Sequence, residues 1–172
     1  PAAGGFHDYA LVLPYGDSVD FRGLTVDDTA KFAEPAERPV LRYVAYGDSV
    51  THGFTASHIG HTYPYRLAET RGWQLVNLGL GGRSARAAEG DVVGRLGGDI
   101  VTVLIGVNDW QGGIAPDAYR EAMRGLLTRI RTLQPGVPVY AITPLWVSER
   151  WKPTKARFPL EDYRAALRSL VG

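Results

Sequence analysis

Cysteine is absent from the 172 residues. Disulfides, thiolate nucleophiles and cysteine-based metal sites are therefore excluded, while the compartment stays open, because exported and cytosolic proteins can both do without it. An excess of charge is also lacking: nineteen basic against eighteen acidic side chains leave a formal charge of +1. That offers no field to gather nucleic acid or an anionic membrane. Nor is there a run of like charges; Arg86, Arg95, Arg124, Arg129 and Arg131 are dispersed among acids, as on a solvated helical surface. No apolar stretch approaches the roughly 20 residues needed to span a bilayer. Methionine is missing from position 1, where Pro1 stands, so a processed or trimmed product is expected.

What is present is a globular composition, 45% hydrophobic and 22% charged, in a length that suits one domain with one sizeable core. Residues 1–38 read differently from the rest. Residues 9–13 and 19–26 are short β-type runs, and Pro14-Tyr15-Gly16-Asp17-Ser18 between them is turn chemistry, which predicts a hairpin. Residues 31–40, with Glu34-Pro35 and Arg38-Pro39, read as a linker. The first segment, 1–38, is thus expected to be an appended β-hairpin and linker, or the tail of a larger β-domain, ahead of a main domain at 39–172.

From residue 40 strands and helices alternate. Leu41 to Tyr46 is apolar and aromatic with Arg42 as its only charge, a buried strand that Gly47-Asp48-Ser49 stops. Residues 63–71 have a helical pattern ending at Gly72, and residues 74–78 form a strand that runs into Gly79-Leu80-Gly81-Gly82-Arg83, a loop only small residues can make. Residues 85–96 predict a helix, and 99–105 the clearest buried strand, leading into Gly106-Val107-Asn108-Asp109-Trp110. Pro116 opens the best helix, with Tyr119, Met123, Leu126, Leu127, Ile130 and Leu133 along one stripe. A fourth strand at 137–142 and a last helix through Leu160, Tyr163, Leu167 and Leu170 complete the order.

Strand and helix in repetition predict right-handed crossovers and an α/β fold with a parallel sheet covered on both faces. The three unusual sequences, Gly47-Asp48-Ser49, residues 79–82 and residues 106–109, each directly follow a strand. In a parallel sheet those loops share the carboxyl edge, where ligands bind. Acyl transfer needs a nucleophile, a base and donors for an oxyanion. Ser49 is the candidate nucleophile; its own N–H, a glycine N–H of the second loop and the Asn108 carboxamide are candidate donors. Gly16-Asp17-Ser18 repeats the first triplet, but no helix pattern or glycine loop follows it, and Ser18 is a decoy.

Gly47-Asp48-Ser49-Val50-Thr51-His52-Gly53, Asn77-Leu78-Gly79-Leu80-Gly81-Gly82 and Gly106-Val107-Asn108-Asp109 together resemble the ordered blocks of the SGNH or GDSL-type serine hydrolases over about residues 40–170. The resemblance implies a flavodoxin-like three-layer α/β/α sandwich (the SGNH hydrolase fold), ester hydrolysis without a cofactor, and roles for Ser49 as nucleophile, Gly82 as oxyanion glycine and Asn108 as oxyanion asparagine. The serine is not in an α/β-hydrolase elbow, since Thr51 and not glycine stands two residues after Ser49.

The sequence departs from the family in one block: it contains no Asp-x-x-His, the family's orienter and base. Either a further segment supplies them or the base comes from elsewhere. His7 lies in the first segment, and His52 is read as structural or substrate-lining. His58 and His61 are weighed as substitute bases against a surface or helix-entry role, which is favoured, and as a metal pair they lack partners. Asp48 is expected to hold the turn by hydrogen bonding and is counted with Trp110 and Trp146 among candidate substrate-lining residues. Trp110, Trp146 and Trp151 are weighed as cleft walls suited to sugar rings or acyl chains against packing beneath loops. Arg83 is weighed as a contact for an anionic substrate against a solvent role, which is the default.

The functional expectation is a serine-dependent carboxylic ester hydrolase removing acetyl or other short acyl groups, with carbohydrate esters a candidate substrate. The rivals are a lipase or thioesterase and a non-catalytic carbohydrate- or ester-binding module. A nucleotide-binding reading of residues 79–82 fails for want of a P-loop lysine and of dinucleotide spacing. The apolar strand at 137–142 would be a bare edge, and a further segment or a dimer partner is expected to cover it.

Overall fold

The computed structural model describes residues 9, 11–13, 18–33, 41–148, 151 and 153–170. Its order is β1 (Arg42–Gly47), α1 (Ser49–His52), a short 3-10 turn (Ile59–His61), α2 (Tyr63–Arg71), β2 (Gln74–Gly79), α3 (Glu89–Leu96), β3 (Ile100–Leu104), α4 (Val107–Gly112), α5 (Pro116–Leu133), β4 (Val139–Ile142) and α6 (Leu160–Arg168). The four strands form one parallel sheet in the order β2-β1-β3-β4. Every connection between them is long enough for a crossover, as parallel pairing demands.

β1 is central, paired with β2 on one side and β3 on the other, and Tyr43 to Gly47 are all buried. Alternate side chains feed two cores. Val44 and Tyr46, with Val101 and Val103 of β3, face the layer of α3, α5 and α6. Tyr43 and Ala45 face α2, where they meet Ala68, Leu67 and Trp73. The result is the expected three-layer α/β/α sandwich. Tyr43 carries its hydroxyl into the second core, where it bonds Thr102 Oγ1 at 2.8 Å; burial pushes the phenol up to about 12.

Helix ends follow the sequence signals. α2 has Pro in its first turn and stops at Gly72, whose φ of 64° is the left-handed cap. Along α5, Tyr119, Met123, Leu126 and Ile130 are buried at spacings of four, three and four, which makes one continuous stripe. Past its end, Gln134 Nε2 donates to the carbonyls of Val93 and Gly94 in α3 at 3.0 and 2.8 Å, satisfying acceptors the helix end leaves open. α3 begins at Glu89 and not at Ala85 as the pattern suggested.

Among the described residues of the first segment none lies in a strand, and Tyr9, Leu11, Phe21, Leu24 and Phe32 are exposed. The β-type runs there have propensity but no third strand or helix against which to bury a face, and two strands alone are marginal in water. The turn proposed at 14–17 and most of the linker lie outside the described residues. β4 is a sheet edge, as expected, and Tyr140 on it is 59% exposed; no described residue pairs with its outer side. No helix among the described residues is long and apolar enough to cross a membrane.

α3 and α5 are packed closely enough that a Cβ at Gly90 would stand 2.4 Å from the Leu126 carbonyl oxygen. Gly90→Ala tests this. Intrinsic propensity favours Ala by about 1 kcal/mol, but overpacking against a rigid backbone costs about 1–3 kcal/mol. A net loss of stability is expected in urea unfolding, and a gain would mean that the helices are not in close contact.

Candidate active site

The strand order places a topological switch between β1 and β3: the chain leaves β1 toward β2 on one side and reaches β3 on the other. The loops after those two strands diverge and leave a crevice at the carboxyl edge. Ser49 is the first residue of α1, immediately after β1, and Asn108 is the second residue of α4, immediately after β3. Gly82 lies in the loop after β2.

The bend at Ser49 is held by Asp48. This residue is the N-cap of α1; its carboxylate accepts from Val50 N at 2.9 Å, and its own N–H donates to the Leu104 carbonyl at 3.3 Å. Ser49 O in turn accepts from Gly53 N and Phe54 N at 2.9 and 2.8 Å. The backbone on both sides of the hydroxyl is therefore fixed. Burial pushes the Asp48 carboxyl above its ordinary value, against the opposing effects of the N–H groups of Val50 and Asp48 and of the Arg83 charge. Its role is the turn-holding one expected from the sequence.

The second loop is pinned to the first. Asn77 Nδ2 donates to the Thr51 carbonyl at 2.9 Å while its Oδ1 accepts from Gly79 N at 2.8 Å. Leu80 N donates to Gly47 O at 3.1 Å. A Cβ at Gly79 would stand 2.1 Å from His52 N, so the loop meets α1 backbone to backbone. Gly82 has a φ of 76°, is exposed, and has no atom within 4 Å of where a Cβ would lie. The side of the loop where a side chain would stand is therefore open.

The third loop is pinned to the second. Asn108 Nδ2 donates to the carbonyl of Arg83, the residue after Gly82, at 2.9 Å. A carboxamide has two N–H donors, so this bond orients the group and leaves one hydrogen to offer. Asp109 is buried and accepts from Ala85 N with both oxygens at 3.1 Å. Burial raises the Asp109 carboxyl above its ordinary value; the Ala85 and Asp109 N–H groups oppose this, and the Asp48 charge adds to it.

The remaining candidates separate. Trp110 is only 8% exposed and belongs to the main core; its indole N–H reaches the Phe158 carbonyl at 3.0 Å and its ring meets Trp151 edge-on at 5.6 Å. It packs beneath the loops and does not wall the crevice. Trp146, at 72% exposed, does line a hollow of about 200 Å³ with Asp48, Val50, Leu104 and Val107. A larger hollow of about 520 Å³ lies beside it, bounded by Val50, Phe54, Tyr63, Leu104, Ile142 and His61. His61 Nδ1 is 2.8 Å from Ser57 Oγ, and its ring lies 3.7 Å from that of His58. His52 ends α1 and is half-buried, whereas His7 lies outside the described residues. Ser18 is exposed and follows no strand. Among the described residues no three His, Asp or Glu side chains converge as a metal site requires. Asn77, Asp109 and Arg83 do more than the sequence suggested; for Arg83 the solvent default is overturned, since its side chain is only 16% exposed. Position relative to Gly82 was the one available signal.

Because its folded-state value lies above the ordinary 3.8, Asp109 binds its proton more tightly in the folded chain. Its contribution to stability is present below 3.8 and is lost as pH rises through the raised value. The stability of the wild type relative to Asp109→Asn should therefore fall as pH rises above 3.8 and level once the raised value is passed, as read by urea unfolding across a pH series. A difference that rises with pH would reverse the assignment.

Residues 45–172 match the model of the GDSL-like Lipase/Acylhydrolase family. No curated protein matches the chain. Among solved structures it is similar to AlinE4, an SGNH-hydrolase family esterase, at 18% identity over 79% of this chain and 72% of that one, TM-score 0.60. It is similar also to a variant of Axe2, an acetyl-xylooligosaccharide esterase from Geobacillus Stearmophilus, at 20% identity over 78% and 73%, TM-score 0.59. The salicylyl-acyltransferase SsfX3 from a tetracycline biosynthetic pathway aligns at 21% identity over 78% of this chain but 38% of its own, TM-score 0.61. The likeness in each case is one of fold. With the family model spanning all three motif-bearing loops, this chain belongs to the GDSL-like lipase/acylhydrolase family.

Proposed function

We propose that this protein is a serine-dependent carboxylic ester hydrolase acting on acetyl or other short acyl esters, with carbohydrate-linked esters as the first substrates to test. One observation carries the reading: the Asn108 carboxamide is tied to the residue next to Gly82 at the same sheet edge that presents Ser49. In this mechanism Ser49 Oγ attacks the ester carbonyl carbon. The carbonyl oxygen takes the electron pair and accepts from Ser49 N, Gly82 N and Asn108 Nδ2. The tetrahedral species collapses to an acyl-Ser49 as the C–O bond to the alcohol breaks and the leaving oxygen takes back the proton that the base removed from Ser49; water, deprotonated by the same base, then attacks the acyl-Ser49 and releases the acid. The proton of Ser49 goes to a general base that the three motifs do not contain, since the sequence holds no Asp-x-x-His; a histidine of a further segment is the preferred candidate.

The exposed Trp146 beside Asp48 supports a flat sugar ring as the alcohol part, and an acetyl-xylooligosaccharide esterase among the similar folds is consistent with it. The larger apolar hollow favours a rival within the same class, a lipase or thioesterase of longer acyl chains. The absent Asp-x-x-His favours a different class, a carbohydrate- or ester-binding module that does no chemistry.

A fluorophosphonate probe separates enzyme from binder. Labelling of the full-length gene product that is lost in Ser49→Ala and kept in Ser18→Ala is the expected result, and absence of labelling favours the binder. Asn108→Ala should lower kcat by ~10²–10³, the usual loss of one oxyanion donor. Across esters from acetyl to decanoyl, kcat/KM should be highest at the short end; a decanoyl optimum would move the assignment to the lipase class.

A further inference from the structure

We infer that Arg83 is a positioning residue for the oxyanion donors, a single side chain through which all three site loops are held in register; the inference rests on the ester-hydrolase reading of Ser49, Gly82 and Asn108. Its guanidinium Nη1 donates to Gly47 O at 3.2 Å and, more closely, to Leu78 O. Those carbonyls belong to the ends of β1 and β2, two residues before Ser49 and four before Gly82. Backbone carbonyls at the carboxyl ends of parallel strands have lost their ladder partners and need donors. Arg83 supplies one donor to two of them at once, which a forked, permanently charged group can do and a single ammonium point charge does poorly.

The side chain is itself braced. Nε faces Glu89 Oε2 at 2.9 Å, a charge contact without hydrogen-bond alignment. The guanidinium carbon lies 4.6 Å from the centre of the Tyr46 ring. Tyr46 closes the circuit by donating its hydroxyl to the same Glu89 oxygen at 2.5 Å. Tyr46 is a buried strand residue and Glu89 the first residue of α3, so the brace is anchored in rigid elements. The backbone of Arg83 completes the connection: its carbonyl receives the Asn108 amide, and its N–H donates to Leu80 O at 3.2 Å. Arg83, the residue that follows Gly82, is therefore fixed through its side chain, its carbonyl and its N–H. A side chain that only filled space or met solvent would not aim its donors at the two strand-end carbonyls.

The device predicts a defect in turnover more than in binding, because misplacing transition-state donors by about 1 Å can cost ~10²-fold in rate. Arg83→Met should lower kcat by ~10²-fold with KM little changed. Glu89→Gln keeps the shape and an acceptor for Tyr46 but removes the charge that braces Arg83, and should give a smaller loss of the same kind; it serves where Arg83→Met fails to fold. Nuclear magnetic resonance of the folded variants reads the positions without relying on activity. The backbone amide of Gly82 and the side-chain amide of Asn108 should shift in both, and the Gly82 amide should exchange faster with solvent. Unmoved resonances, or a rise in KM at constant kcat, would overturn the positioning role. Shifted resonances in a protein whose Ser49 proves unreactive would sink the hydrolase reading and leave the brace standing.

Discussion

The last peptide of β1 sets the terms for the rest of the structure. Its Gly47 carbonyl emerges from the sheet with no strand partner beyond it, at the point where the chain must bend to present Ser49. Leu80 N and Arg83 Nη1 both reach it from the second loop, while Asp48 N reaches back to the end of β3. Buried backbone groups must find partners, and here those partners come from the neighbouring loops. Satisfying one strand end thus draws the flanking loops onto it, and the crevice between β1 and β3 acquires defined walls.

Two carboxylates carry much of this work, and both do it under strain of burial. Asp48 and Asp109 are nearly inaccessible, and each raises the proton affinity of the other's site or is raised by it. Leaving a carboxylate unpaired there would be costly, whereas N–H bonds to a charged acceptor each return about 1.5–3 kcal/mol. Asp48 takes such a bond from Val50 and Asp109 takes a forked one from Ala85. Neither needs to be a catalyst for its position to matter: one shapes the turn at Ser49, the other holds the third loop beside the second.

Much of this was legible from residues alone. The four strands and the long α5 stripe follow from periodicity, because burial on a sheet or helix face leaves a repeating mark in the sequence. Ser49 and the loops at 79–82 and 106–109 stood out because each directly follows a strand, whereas Gly82 in particular was singled out through the resemblance to the GDSL-type blocks. What was not legible depended on where long or polar side chains point. Arg83 reads as a surface arginine until Glu89 and the Tyr46 ring are seen around it. Trp110 reads equally well as a cleft wall or a core plug, since its indole partner, the Phe158 carbonyl, is 48 residues away. Ala85 fits a helix pattern, yet α3 begins at Glu89 and the Ala85 N–H goes to the Asp109 carboxylate. The β-type runs of the first segment illustrate the converse: propensity without a surface to pack on yields no strand among the described residues.

Gly82 shows how a site can be kept faithful without being kept rigid by packing. Nothing crowds the place where its side chain would be, so volume does not exclude a larger residue; torsion does, since a left-handed φ of 76° penalises an L side chain by about 1–2 kcal/mol. Mirror-image chemistry would evade that penalty. A D-alanine installed at this position by chemical ligation would meet neither crowding nor backbone strain, and the loop would keep its outline while its handedness requirement was laid bare.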